Sequence, residues 1–597
     1  MKTVFEGQLE TAGSKEKELG KISQIYSTIR FFVFIGIIIS SYVGYMQNEL
    51  YYISSVVGLL VFLVLVKKHD EIKYQVVYCK MKQEVLKRYL HRFTNEWKEF
   101  EDNGQEFLNE RFPPGYDLDI FGKTSLYQYI STTSTHLGKE QLANWLSLKP
   151  CNDLEIIKRQ NAVKELLEKI EFTIHFEILG RLAHNKLNSK KVFESLEKMK
   201  EDNYSNSFFM KIAKWLFPCI TIVAFITVYF SGSSIALGIA EVGVLFQLLL
   251  TFAFSAKITK ALQSIFALHE ALSIYLKMFE SLEEEAFESI YLKEQMNEMG
   301  EAIRGIKALS FVSELAKVRF NFIAHILMSA LFLWDFHCIE QLVKWKGMYL
   351  SSLPKWFQII GDVEALSSLS MLAKVKKNYC FPTISKEVEI KTTSMGHPLL
   401  QEEMMVSNDF YSNAFACIIT GSNMSGKTTF LRTLGLNTIL SYAGAAVHAQ
   451  TYHIGIMDIF TSMRIEDNVS EGISTFYAEI LRIKQMVDFH KTKKPMLALI
   501  DEIFKGTNSR DRIMGASETI RQLSSEQCIT CVTTHDYELC DLENDLEIKS
   551  RNYHFSEYYE NNKIHFDYKI KHGRATTTNA EYLLKMVGII KDKKTDK

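Results

Sequence analysis

The chain has 597 residues, 47% of them hydrophobic and 23% charged, with 8 prolines beside 40 Phe and 27 Tyr. This length predicts roughly two to four structural units rich in long helices, and the apolar content excludes a disordered or collagen-like polymer. Lys plus Arg (69) nearly cancels Asp plus Glu (70), so no overall positive field favours nucleic acid and any DNA contact must be local.

Residues 1–30 are polar and charged, unlike a cleavable signal peptide, and are expected to form a cytoplasmic N-terminal segment. Two nearly uncharged runs follow, 31–46 and 50–66, which predict a transmembrane hairpin over 31–66. A helical region is expected over 67–206. A second pair of runs, 215–234 and 235–256, predicts another hairpin over 207–256. Lys21, Arg30, Lys67, Lys68, Lys211, Lys214, Lys257 and Lys260 all flank one side of these hairpins, while Asn48-Glu49 and Gly232-Ser233 join the runs without Lys or Arg. The positive-inside rule then predicts a multi-pass protein of the cytoplasmic membrane with both termini in the cytoplasm. Glu241 lies near one end of its run, which favours a structural role at the interface or in the bundle over a functional intramembrane carboxylate.

Between 280 and 301 eight acidic residues stand with a single Lys293 at helical spacing, which reads as a solvated helix face and a poor surface for phosphates. The stretch 320–334 is too short and too polar for a span, containing Asn321 and His325, and is expected to be a core helix of the soluble part. A helical pattern through Val363, Leu366, Leu369 and Leu372 follows it and completes a helical unit over 257–385.

Residues 414–420 predict a buried strand that runs into Gly421-Ser422-Asn423-Met424-Ser425-Gly426-Lys427-Thr428, after which Phe430, Leu431 and Leu434 begin a helix. This is a P-loop pattern. Its backbone N–H groups would wrap phosphates, Lys427 would reach the β- and γ-phosphates, and Thr428 would ligate Mg²⁺. A second strand, 496–500, ends in Asp501-Glu502, the Walker B pattern, in which Asp501 holds Mg²⁺ through water and Glu502 polarises the attacking water. A third, 528–533, leads into Thr534-His535-Asp536 and places an imidazole where a γ-phosphate sensor acts. Cys528 and Cys531 fall on opposite faces of that strand, so they read as buried strand residues and not as a metal or redox pair. The nine cysteines form no Cys-rich block and suit a reducing compartment.

These motifs carry a resemblance. TGSNMSGKTTFLR (420–432), STFYAE (474–479), LIDEIFKGTN (499–508) and THDYEL (534–539) resemble the MutS ATPase domain in order and spacing, as do YAGAAVHAQ (442–450) and Gly396-His397-Pro398. Residues 125–148 and IIKRQNAVKEL (156–166) are similar to the start of the MutS core domain, whose helical lever would include 362–373. The resemblance covers about 120–590 and is strong from 395 onward. It implies an α/β P-loop NTPase domain of ABC-like type over 386–597, C-terminal to a mostly α-helical core that carries the transmembrane hairpins. The implied activity is ATP hydrolysis with Mg²⁺ at a homodimer interface. Gly421 through Thr429 would bind the nucleotide, Thr428 and Asp501 the metal, and Lys427, Glu502 and His535 would act on the phosphates. Ser474 occupies the position from which the family's signature serine reaches the opposite γ-phosphate, and Gly506-Thr507-Asn508 matches the loop that crosses the dimer.

Departures accompany it. Ser422 replaces the usual P-loop proline, and Met405 stands where an adenine-stacking aromatic is expected. Residues 1–110 have no place for the family's mismatch-reading domain, and the interval of the DNA clamp holds the second hairpin and the acidic segment. The expectation is a membrane-anchored MutS-like ATPase, with DNA a candidate partner through mismatch repair and a protein partner unidentified. The alternative is an ABC-type transporter or remodelling ATPase not acting on DNA, against which stands the absence of a Leu-Ser-Gly-Gly signature before the Walker B strand.

Overall fold

The computed structural model describes residues 1–109, 111–147, 152–186, 208–413, 415–464, 475–560 and 563–575. Helices α1 (Lys2–Met46) and α2 (Leu50–His91) make an antiparallel hairpin that turns at 47–49. The polar residues 1–30 are thus the first part of the same helix as the apolar run, with no proline to stop it. Small residues let the two helices approach closely: a Cβ on Gly58 would lie 2.8 Å from Ile37 Cγ1, and Ser41 Oγ donates to Ser55 Oγ at 3.0 Å. The far end of the hairpin joins the core, where Phe5 meets Tyr89 edge-on at 5.2 Å.

Short helices α3 (Pro114–Asp117) and α4 (Leu126–Ile130) lead to α5 (His136–Ser147), α6 (Asp153–Glu168) and α7 (Ile170–Lys186). A second hairpin follows, α8 (Phe208–Ser231) and α9 (Ser234–Glu284), tied internally by Gln247 Nε2 donating to Thr221 Oγ1 at 2.8 Å. Glu241 is exposed on α9. Four helical stretches, Lys2–Met46, Leu50–His91, Met210–Ser231 and Ser234–Leu262, are long and apolar enough to cross a membrane. In the most apolar window of the first two, 0% and 6% of residues are buried, so their apolar side chains face outward.

The acidic segment is not one solvated helix face. It is the end of α9, an extended link, α10 (Ile290–Met296) and the start of α11 (Met299–Ala316). The link is held by Glu165 of α6, whose carboxylate accepts from Glu288 N (2.6 Å) and Ser289 N (2.9 Å), and by Lys169 on Glu285 (2.6 Å). The Glu285 carboxylate and the backbone of Glu288 and Ser289 are therefore drawn into contacts that helical spacing alone does not reveal.

The reading of 320–334 as a core helix is also corrected. It forms α12 (Phe322–Phe332), bent 108° from the preceding Met299–Phe320 helix, and Phe322, Ile323 and Leu327 are exposed. Apolar composition does not specify what covers a helix.

Then come α13 (Trp334–Tyr349), α14 (Leu353–Leu369) and α15 (Met371–Val375). α14 is nearly all buried and lies so close to α5 that a Cβ on Gly361 would stand 2.9 Å from Leu137 C and 3.0 Å from Gly138 N. Below that crossing Glu364 caps the start of α5, accepting from Ser134 N (3.2 Å), Thr135 N (3.0 Å) and Thr135 Oγ1 (2.6 Å). Burial pushes its carboxyl up to about 7 against these hydrogen bonds.

Beyond 376 the chain is mixed α/β. Strands β1 (Thr383–Ser385), β2 (Glu389–Met395) and β3 (Asn408–Asn413), with β5 (Thr451–Gly455), form a four-stranded sheet in the order β1-β5-β2-β3. Strands β4 (Ala416–Thr420), β6 (Asp458–Ser462), β7 (Met496–Ile500), β8 (Cys528–Thr534), β9 (Ser550–His554) and β12 (Lys571–His572) form a six-stranded sheet in the order β12-β9-β4-β8-β7-β6. It is parallel except for β12. Strands β10 (Glu557–Glu560) and β11 (Lys563–Phe566) make a separate hairpin.

The runs ACIIT, MLALI and CITCVTT are buried on both faces, as parallel strands under helices must be. Alternate residues serve two cores. Cys417, Ile419, Leu497, Leu499 and Cys531 join one large core that also holds the helical part and α16 (Lys427–Ala443); Ile418, Met496, Ala498, Cys528 and Val532 face α17 (Thr475–His490) and α18 (Ser509–Leu523). Cys528 and Cys531 are free, buried and on opposite faces.

Two outcomes are expected from the α5–α14 crossing. Gly361→Ala forces backbone apart and should lower stability by about 1–3 kcal/mol, whereas Gly347→Ala, with nothing within 4 Å, should raise it by about 0.5–1 kcal/mol; thermal unfolding in detergent distinguishes them. The Glu364 carboxyl rises from 4.5 in the unfolded chain to about 7. Its contribution is full below the lower value and lost as pH rises through the upper one. Unfolding temperature measured across that window should fall less in Glu364→Gln than in the parent.

Candidate nucleotide site

Strands β4, β7 and β8 end on one edge of the sheet, with Thr420 opposite Thr534 and Ile500 opposite Val532. Side chains that follow these strands therefore converge. Between β4 and α16 the loop turns on Gly421 (φ 150°), Met424 (φ 66°) and Gly426 (φ 109°). At Gly421 a Cβ would meet Phe555 O at 2.8 Å and Ser425 Oγ at 2.9 Å, so only bare backbone fits. Asn423 and Met424 are exposed, and Ser425 Oγ is buried with no hydrogen-bond partner among the described residues.

Lys427 opens α16 and folds back over the loop, donating to Gly421 O (2.8 Å) and Ser422 O (2.9 Å). Burial lowers its pKa, and Glu502, Asp501 and Glu557 oppose that shift. Ser422, in the place of the expected proline, donates to Glu557 Oε2 at 2.9 Å. Thr428 Oγ1 donates to Asp501 Oδ2 at 2.8 Å. The first turn of α16 thus meets the end of β7 through the hydroxyl and carboxylate expected to share a divalent cation.

Sequence reading missed the group that holds this arrangement. Thr533 Oγ1 donates to Asp501 Oδ1 at 2.6 Å and accepts from Glu502 N at 2.8 Å. Glu502 (φ 51°) and Phe504 (φ 58°) are in the left-handed region, which costs about 1–3 kcal/mol per residue. The second is held by Phe504 N donating to Glu479 Oε1 at 2.5 Å. Glu502 then faces two cationic or titratable partners, His535 Nε2 at 3.2 Å and Lys505 Nζ at 2.6 Å. Burial raises its carboxyl, but Lys505 and His535 outweigh that and hold it below the ordinary value. Arg512 fixes the turn after His535 with a two-point contact to Asp536, at 2.5 and 2.7 Å. Thr533 looked like any β-branched strand residue, so only its register against β7 marks it.

A cleft of about 630 Å³ opens here, lined among others by Thr428, Asp501, Glu502, Lys505, Arg464 and Tyr116. Thr429 belongs to a second cavity of about 230 Å³ on the opposite side of the loop, with His397, Met405, Phe555 and Tyr568. Beside Met405, where the sequence lacks the expected aromatic, this cavity is lined by the rings of Phe555 and Tyr568, which come from distant sequence positions. Ser474 lies outside the described residues.

The site fits a phosphate chain with a divalent cation: a cradle that a Cβ would fill, an orphaned buried hydroxyl on Ser425, an ammonium and a paired hydroxyl–carboxylate. Among the described residues no group of three or more His, Cys, Asp and Glu could hold a metal alone, so a cation at Thr428 and Asp501 would need phosphate oxygens and water, the usual habit of Mg²⁺.

Residues 417–591 match the family model described as MutS domain V. The carboxy-terminal part of the chain is therefore MutS-like. Among its relatives are the DNA mismatch repair protein MutS of Persephonella marina, 31% identical over 242 residues, and that of Listeria monocytogenes serotype 4a, 32% identical over 245 residues. The matches cover 39% and 40% of this chain but only 27% and 28% of those proteins, so the chain spans little more than a quarter of their length.

Thr533→Val keeps the strand's shape and strands Glu502 N without its acceptor. Stability should fall by about 1–3 kcal/mol, read from thermal unfolding.

Proposed function

We propose that the chain is a membrane-anchored MutS-like ATPase whose carboxy-terminal part is a P-loop NTPase domain of ABC-like type. The observation that carries this is the convergence of Lys427, Thr428, Asp501, Glu502 and His535 at the ends of three adjacent strands around a bare glycine loop. Lys427 leaves the Gly421 and Ser422 carbonyls for the β- and γ-phosphates. Backbone N–H groups from Ser422 to Thr429 cradle the phosphates at the start of α16. Thr428 and Asp501 hold Mg²⁺, which when bound neutralises charge on the phosphate oxygens. Glu502, kept ionised beside Lys505, orients water and accepts its proton, and His535 bonds the γ-phosphate.

Each site is completed in a homodimer by Ser474 of the second copy. The outward apolar faces of α1, α2, α8 and α9 support two membrane hairpins, and the lysines at their bases support a cytoplasmic location for the remainder. The family model matches the part that carries the nucleotide site, and the relatives named as mismatch repair proteins match 39% and 40% of the chain. ATP turnover is accordingly the proposed activity, with DNA as a candidate effector.

Glu502→Gln should retain ATP binding and lose turnover by about 10²–10⁴-fold, measured as phosphate release from detergent-purified protein, and Lys427→Ala should lose binding as well. Unchanged turnover in Glu502→Gln would sink this assignment. The same assay with homoduplex, mismatched and branched DNA tests the effector: a salt-sensitive rise supports DNA, and no response with no binding removes it.

A further inference from the structure

α12 is an 11-residue helix whose exposed residues are all apolar. Phe320 is 71% exposed, Phe322 75%, Ile323 71% and Leu327 56%. Positions 322, 323, 326 and 327 share one side of a helix of 3.6 residues per turn, and Ser329 and Ala330, which continue that side one turn further on, are buried, so the exposed part of this side is the amino-terminal half of α12. An apolar surface so continuous requires a partner.

The surroundings fix the height of this helix relative to the second hairpin. Helix α11 runs antiparallel to the inner part of α9, with Lys307 on Glu280 at 2.9 Å. Its continuation reaches Arg319, which donates to Ser255 Oγ (3.3 Å) and Thr259 Oγ1 (2.9 Å). That is where the apolar stretch of α9 gives way to exposed Lys257 and Lys260. There the chain turns by 108° into α12. At the other end, His337 of α13 packs edge-on against Trp215 at 5.2 Å, and Trp215 opens the apolar run of α8, one turn after exposed Lys211. Both flanks of α12 are thus pinned at the same boundary of the hairpin. Asp335 locks the bend, taking Arg319 at 3.3 Å and His325 at 3.0 Å. A helix of about 16 Å cannot cross an apolar layer of about 30 Å, and its axis is turned across the hairpin.

Resting on the reading of α8 and α9 as membrane spans, we propose that α12 lies in the plane of the membrane at its cytoplasmic boundary and inserts Phe322, Ile323 and Leu327 among the lipid chains, together with Phe320 just before it. The occupant of this surface is lipid. Continuity with the outward apolar faces of α8 and α9 carries the choice, together with the lysines at that level, which suit anionic headgroups. The helical core then touches the bilayer directly through α11 and α13, and not only through its hairpins.

The test uses the full chain in vesicles of phosphatidylcholine and phosphatidylglycerol. Cys219, the exposed thiol among the described residues, and any other cysteine that reacts are replaced by Ser. A nitroxide is then placed at Ile323, with Val223 on α8 as the span reference and Leu546, exposed far along the chain, as the water reference. Collision with oxygen against a water-soluble nickel chelate is read at each. The expected oxygen-to-nickel ratio at Ile323 is several-fold above Leu546 and below Val223, and a label at Leu327 should repeat it. A water-like Ile323 beside a lipid-like Val223 overturns the proposal and leaves the spans intact. A label shielded from both probes means that protein, such as a second copy, covers the face, which also overturns it. If Val223 itself behaves like Leu546, the span reading fails and this one with it.

Discussion

The carboxylate of Asp117 holds together the two halves of the chain. It is fully buried and comes from the short helix after the first hairpin, yet all its partners lie 344 to 365 residues on: Thr461 Oγ1 (2.7 Å), Met463 N (3.2 Å), Arg464 N (3.1 Å) and Arg482 (3.1 Å). A charge taken out of water survives only with such complete pairing. Next to it, Asp119 receives Arg464 at 2.6 Å and Arg432 of α16 at 3.0 Å. One loop of the helical part thereby grips the end of β6, α17 and the helix that follows the glycine loop. Displacement of this loop cannot leave the candidate site unmoved, because Arg464 and Tyr116 also line its cleft.

Inside that frame the site is set by short polar contacts between neighbouring strands. Parallel register brings Thr533 beside Asp501, and one hydroxyl then fixes both the carboxylate expected at the metal and the backbone of Glu502. The left-handed backbone at Glu502 and Phe504 persists because Thr533 and Glu479 hold the amides on which it depends. Strain is located where a carboxylate must be aimed at a fixed point.

The helical part offers a continuous mechanical path to this site. α2 and α9 each run unbroken from an outward apolar stretch into the core, where Leu86 and Tyr89 of the one and Met278 and Phe279 of the other are buried in the same cluster as Leu431 and Leu434 of α16. Tight packing transmits displacement and does not absorb it. The close crossing of α5 and α14 at Gly361 belongs to the same cluster.

Much of this was legible in the sequence because it is local. The four apolar helices, the strands 496–500 and 528–533, the glycine loop and the residues Lys427, Thr428, Asp501, Glu502 and His535 depend on hydrophobic period and on motifs a few residues long, and the structure brings those five side chains together. What depended on partners distant in the chain was not legible. Acidic spacing over 280–301 suggested one solvated face, but Glu165 and Lys169 capture its middle as an extended link. The apolar run at 320–334 suggested core, but the bend fixed by Arg319 and Asp335 turns it outward. Thr533, Tyr568 and Asp117 carry no motif. The sequence by itself determined the apolar helices, the strands that carry the motifs and the glycine loop, since these follow from periodicity and backbone chemistry within a few residues. Only the tertiary structure decided which faces are covered and which carboxylates are paired, since burial and pairing depend on groups that folding brings from hundreds of residues away.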